Sequence, residues 1–152
     1  MHDQESSMRK AIELMFFAYR DFTGEADVIL HEYGFGRAHH RAIYFIGRNP
    51  GMAVNELLAI LKITKQSLGR VLNQLVDEGY VDQDADPDDG RRRLLTLTKE
   101  GVILENLLTE RQSRRIRNAY TEAGRGAGKG FLRVLEKMID ERDAIKLTGV
   151  DS

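Results

Sequence analysis

The chain has no cysteine. Disulfides, thiolate-held metals and thiol-based redox sensing are thereby excluded, and a reducing compartment is permitted. No apolar run approaches the ~20 residues needed to span a bilayer. The opening stretch MHDQESSMRK is polar and lacks the apolar segment of a secretory signal. A soluble cytoplasmic protein with no membrane partner is expected. A surplus of one charge is missing too: 23 basic residues stand against 24 acidic ones, for a net charge of −1. A polyanion would therefore have to be met by one basic face rather than by the whole surface. Proline occurs twice, at Pro50 and Pro87, both in turn-like stretches. What remains is 152 residues, enough for one domain with its own core.

Apolar spacing organises that chain. Met8, Ile12, Met15, Tyr19, Phe22, Ala26 and Ile29 step alternately by four and three. This predicts a long helix over about 8–30 with a coiled-coil-like seam, widened by Phe16 and Leu30. Such a seam needs a partner. HEYGFG (31–36) breaks it, and a second helix is expected from about Arg37 to Ile46, stopped by RNPG (48–51). AVNELLAIL (53–61) reads as a short helix with Leu57, Leu58 and Leu61 inward. After KIT comes KQSLGRVLNQLVDEG (65–79), where Leu68, Val71, Leu72, Leu75 and Val76 form one apolar stripe. Thr64 stands where an N-cap should and Gly79 where a left-handed stop should.

YVDQDAD and RRLLTLT are β-prone, with the turn sequence PDDG between them. A hairpin directly after two short helices makes a winged helix-turn-helix. From Lys99 a second long helix carries Ile103, Leu104, Leu107, Leu108, Ile116 and Tyr120 near one face, and turns basic in RQSRRIRN (111–118). GRGAGKG (124–130) is expected to be a flexible linker. It is not a phosphate loop, because Ala123 and Gly130 stand where Gly and Ser/Thr are required. A final helix carries Phe131, Val134, Leu135, Met138 and Ile139. The expected fold is mainly α with a small β-hairpin wing. Residues 1–36 and 102–152 form a helical dimerisation region, and 37–101 the winged helix-turn-helix, in one compact domain.

The helix at 65–78 presents Lys65, Gln66, Ser67, Arg70, Asn73 and Gln74 away from its apolar stripe and holds its acids back to Asp77 and Glu78. Arginine can fork onto guanine, and glutamine or asparagine onto adenine. After a short helix and a tight turn, such a face reads as a recognition helix rather than an ordinary solvated one. Here NELLAILKITKQSLGRVLNQLVDEGYVDQDADPDDGRRRLLTLTKEG (55–101) resembles the winged helix of the MarR family of bacterial transcription regulators. The most specific stretch is DPDDGRRRLLTLTKEG, where Asp89, Arg91, Arg93, Leu97, Thr98 and Gly101 match the family's wing signature. In outline the resemblance extends over nearly the whole chain.

The resemblance implies a homodimer with interlocking terminal helices, each recognition helix in a major groove and each wing at a minor groove of double-stranded promoter DNA. It implies repression of a nearby promoter, and release when a small aromatic or anionic effector binds. Gly69 departs from it, since many members have Ser or Thr there, and a glycine weakens a helix interior by ~1 kcal/mol. Thr64, Lys65, Gln66, Ser67, Arg70 and Asn73 are the expected DNA-contacting residues of the helix. In the wing, Arg91 is assigned to the narrow, negative minor groove. Asp89 is expected to hold the Arg91 guanidinium through a forked pair of hydrogen bonds. Arg93 is assigned to a phosphate and Arg92 is left solvated or on the backbone.

The ligand cleft implied by the resemblance lies between the first helices and the winged helix. It would gather His39, His40, Arg41 and Tyr44 with residues of the first helix. A packed or solvated histidine is the plain alternative. A metal shared among His31, His39 and His40 is not expected, because adjacent helical residues point about 100° apart. No cofactor is expected. RQSRRIRN either touches phosphates or is a solvated face. No Ser-His-Asp set or suggestive carboxylate pair stands out, so a regulator and not an enzyme is expected. Two rivals remain: a winged helix used as a protein-interaction module without its own operator, and a purely structural helical dimer.

Overall fold

A computed structural model describes residues 2–140. The first helix, α1 (His2–Glu32), begins well before the apolar seam, with Asp3 and Glu5 in the first turn, where the helix dipole favours acids. Thr23, Ala26 and Leu30 are its buried residues, so its N-terminal part stands clear of the body. It stops at Gly34, whose φ of +73° suits a residue without a Cβ. The Phe35 amide then bonds back to the Leu30 carbonyl at 2.9 Å, and the Phe35 ring drops into the core. Helix α2 (Arg37–Arg48) buries Ala42, Ile43 and Ile46 and ends at Asn49.

A two-residue strand that the sequence pattern does not announce, β1 (Met52–Ala53), comes next. It pairs antiparallel with the later strand β3 (Arg93–Leu97), Met52 opposite Leu95. Helix α3 (Val54–Leu61) and helix α4 (Lys65–Asp77) follow, joined by Lys62 in the left-handed region at φ 52°. Thr64 caps α4 as expected, accepting the Ser67 amide at 3.0 Å, and Gly79 turns the chain at φ +86°. Strand β2 (Val81–Ala85) pairs with β3 from Val81–Leu97 to Ala85–Arg93, giving the sheet order β1-β3-β2.

Helix α5 (Lys99–Ala123) starts under Thr98, whose hydroxyl accepts the Gly101 amide at 3.1 Å and donates to the Gly79 carbonyl at 2.6 Å. That one side chain joins the end of the wing to the end of α4. A Cβ on Gly101 would collide with the Tyr80 carbonyl oxygen, so α5 approaches the wing this closely only through a glycine. The core lies where α2, α3, α4, the sheet and α5 meet: Ile43, Ile46, Leu57, Leu68, Leu75, Leu95, Leu104 and Leu108 are fully buried.

The flexible linker expected at 124–130 is shorter than the glycines suggest. Gly124 and Gly126 take positive φ of 100° and 82°, but helix α6 (Ala127–Met138) already includes residues 127–130. Gly128 lies against the Tyr120 ring, where a Cβ would come within 2.8 Å. Close packing on α5 thus sets α6 despite weak helix propensity. The described part of α6 buries no residue. The end of the expected dimerisation region, 141–152, lies outside the described residues. No described helix is long and apolar enough to cross a membrane.

Candidate nucleic-acid interface

Leu68, Val71, Leu72 and Leu75 of α4 face the core. Gln66, Arg70 and Asn73 follow one another at i, i+4 and i+7 on the opposite face. All three are exposed, as is Lys65, and none of the four side chains makes a hydrogen bond or ion pair among the described residues. Thr64 and Ser67 are engaged in the cap: the Thr64 hydroxyl donates to Ser67 Oγ at 2.8 Å. The Ser67 hydroxyl proton stays free for an outside acceptor. With the Lys65 and Gln66 amides unpaired and no acid in the first turn, the α4 N-terminus favours an approaching anion.

Gln74 does not belong to that face. Its Nε2 donates to the Gly34 carbonyl at 3.3 Å and its Oε1 lies 2.7 Å from His39 Nε2. His39 Nδ1 accepts the Gly36 amide at 3.0 Å, which leaves the ring hydrogen on Nε2, donating to Gln74. The ring also stacks on Phe35, centroids 4.9 Å apart. His39 is therefore a packed junction between the α1–α2 turn and α4, and not a wall of the expected ligand cleft.

The wing tip closes on itself. The Asp86 amide donates to the Arg92 carbonyl and the Arg92 amide to the Asp89 carbonyl, both at 3.0 Å. Asp86 Oδ1 accepts the Asp88 amide at 2.9 Å and Asp89 Oδ1 the Arg91 amide at 3.0 Å. The expected fork between Asp89 and the Arg91 guanidinium does not form. Two residues across a tight turn, an aspartate reaches the backbone N–H more readily than the end of a long side chain. Asp89 thus fixes the backbone from which Arg91 projects. The guanidinium groups of Arg91 and Arg93 are unpaired among the described residues, and both residues are exposed. Arg92 is exposed, as expected, but not free: its guanidinium bonds Glu56 of α3 at 2.9 Å and lies 3.8 Å from Asp86. Glu56 was invisible as a site residue because nothing in the spacing links α3 to the wing.

The basic run on α5 is largely spoken for. Arg115 pairs with Glu25 of α1 at 2.6 Å, and Arg114 and Arg117 both reach Glu110.

A cavity of about 330 Å³ opens between α1, α2 and α5. Of the four residues expected there, His40, Arg41 and Tyr44 line it. Arg41 donates to the Tyr19 hydroxyl at 2.9 Å, and Arg37 pairs with Asp27 at 3.0 Å. Burial pushes the His40 imidazole below its usual range, with Arg41 acting in the same direction and Asp27 against it. The third wall is α5 rather than the helix-turn-helix, through Thr109, Gln112, Ser113 and Ile116. Their i, i+3, i+4, i+7 spacing, an uncharged stripe on a helix that is otherwise strongly charged there, was the signal that could have found them.

The sequence profile of the MarR family matches residues 33–92. The chain is 51% identical over 136 residues to the HTH-type transcriptional regulator PetP of Rhodobacter capsulatus, covering 90% of this chain and 82% of that one. Its fold is similar to that of MepR from S. aureus in its DNA-binding conformation (TM-score 0.72, 17% identity, 84% of this chain and 95% of that one). It is also similar to NadR in complex with 4-hydroxyphenylacetate (TM-score 0.70, 22% identity, 82% and 88%).

Proposed function

Since the chain belongs to the MarR family of DNA-binding transcription regulators, we propose that it acts in the cytoplasm as a homodimeric repressor on promoter DNA. Helix α4 enters the major groove. Thr64, Lys65 and Ser67 at its N-terminus meet the backbone, and Gln66, Arg70 and Asn73 read base edges. The wing carries Arg91 to the adjacent minor groove, set by Asp89, and Arg93 to a phosphate. The observation that carries this reading is the free face of α4. Lys65, Gln66, Arg70 and Asn73 are exposed without a partner, while the neighbouring polar side chain, Gln74, is tied down.

The effector is a small aromatic or anionic molecule held in the α1–α2–α5 cavity. Tyr19 and Tyr44 supply aromatic walls there and Arg41 a cation, while His40, kept neutral by burial, serves as a hydrogen-bonding group. The cavity joins α1 to the helix that precedes the helix-turn-helix. A ligand wedged there releases DNA only if it binds the DNA-free form more tightly.

Selection of bound duplexes from random DNA with purified protein, followed by anisotropy titration of the selected site across salt, tests the reading. Expected is a preferred site bound with steep salt dependence, because phosphate contacts release counterions. Equal affinity for all duplexes, or none, would overturn it. A thermal-shift screen of aromatic acids, read beside DNA release, tests the effector.

A further inference from the structure

Three arginines in a row stand at the tip of the wing, and the middle one turns back onto the helix-turn-helix. Arg92 bonds Glu56 in the first turn of α3 at 2.9 Å and faces Asp86 at 3.8 Å. The side chains differ in depth: Asp86 is 11% exposed, Arg92 44% and Glu56 58%. Asp86 also closes the tip, accepting the Asp88 amide and donating its own amide to the Arg92 carbonyl. One guanidinium therefore joins the loop's base to an acid of the helix-turn-helix. The wing is otherwise a two-stranded ribbon beyond the short β1–β3 pairing, an arrangement with little stability of its own.

We infer that Arg92, with Glu56 and Asp86, is a latch that fixes the wing against α3 and so positions Arg91 for the minor groove. This rests on the proposed DNA-binding reading. Arg92 is a positioning residue: it works through the wing and not by touching bases. The latch also accounts for an acid at Glu56, on the first helix of the helix-turn-helix, which crosses the DNA backbone in this motif. Unpaired, that carboxylate would repel phosphates. Paired with Arg92, its charge is offset.

The decisive variants are Glu56→Ala, Arg92→Ala and the double variant, in the full-length chain. Amide hydrogen exchange at Asp86 and Arg92 in DNA-free protein reads the latch itself. Glu56→Ala, which touches neither amide, is expected to speed exchange at both. On the selected duplex it is expected to weaken binding roughly two- to fivefold, the reach of an exposed ion pair. The double variant should be no worse than Arg92→Ala alone, since each acts through the other. Unchanged wing exchange in Glu56→Ala would overturn the latch whatever DNA does. Faster exchange with unchanged or tighter DNA binding would overturn its part in positioning Arg91, because deleting an acid near a polyanion tightens binding when nothing is being aimed. Additive losses, with the salt slope of Arg92→Ala reduced by about one, would make Arg92 a phosphate anchor instead. If the wild type selects no duplex, the regulator reading fails while the exchange measurement still judges the latch.

Discussion

Two glycines inside helices are under opposite constraints. A Cβ on Gly69 of α4 meets nothing within 4 Å, whereas one on Gly101 of α5 would strike the Tyr80 carbonyl. Gly69→Ala is therefore expected to raise stability by about 1 kcal/mol, the ordinary helix-propensity gain. Gly101→Ala is expected to lower it by roughly 1–3 kcal/mol, as overpacking against rigid backbone does. Urea unfolding of the pair checks both signs, and equal shifts would contradict the packing. At the DNA face, Arg70→Ala should cost roughly 1–3 kcal/mol on the preferred site and flatten discrimination at one position. A uniform loss on all sequences would reduce Arg70 to a phosphate contact. Asp89→Ala should also weaken binding although it removes an acid, since it frees the Arg91 backbone; tighter binding in an anisotropy titration would sink that role. Residue types on the α4 face were legible from the helical period alone. Which of them were free was not: Gln74 and His39 find each other across 35 positions of sequence, and Arg92 finds Glu56 across 36. Periodicity describes an element's faces and carries no information on such distant meetings.

Among the elements, α1, α4 and α5 followed directly from apolar spacing, and the caps at Thr64 and Gly79 from residue chemistry. β1 did not, because two residues hold no pattern and their strand exists only by pairing with β3. The start of α6 did not either, since two glycines in its first turn oppose a helix that packing against Tyr120 imposes. Helix α2 sits between these cases. Its boundaries were legible nearly to the residue, yet the burial of His40 was not. That burial has a consequence for pH. The folded-state pKa of His40 lies below its ordinary 6.5, so the unfolded chain binds the proton first. The stabilisation is fully present above about pH 6.5 and is lost as pH falls through the lowered folded value. Urea unfolding of wild type and His40→Gln should therefore run parallel at pH 7 to 8 and converge or cross below that range, with the wild type falling faster. Parallel curves throughout would show that His40 keeps its ordinary proton affinity in the fold.

For the whole molecule, the question is what covers its apolar ends. Ile12 is 66% exposed, Phe16 68% and Val134 59%, and Met8, Met15, Phe131 and Met138 are exposed with them. A monomer rarely displays so many large apolar side chains to water on its terminal helices. The patches sit on the N-terminal part of α1 and on α6, while the core that holds the helix-turn-helix draws on α1 only near Ala26 and Leu30. Leu14 and Phe17 are exposed beside the seam as well, so the apolar surface wraps further round α1 than a two-helix contact would need. That geometry fits α1 of one protomer lying among helices of a second copy, in an isologous contact that covers both ends at once. Sedimentation equilibrium at micromolar concentration should give a dimer. Met15→Asp places a charge in the middle of the proposed interface, and desolvating it would be expensive. The variant should sediment as a monomer at the same concentration while keeping a folded helix-turn-helix, because Met15 touches none of the buried core. Its affinity for one isolated half-site should then persist while tight binding to a two-fold site is lost, since the second recognition helix no longer arrives with the first. A wild-type monomer, or an unchanged dimer in Met15→Asp, would remove the terminal helices from that role and leave their exposed faces to some other partner.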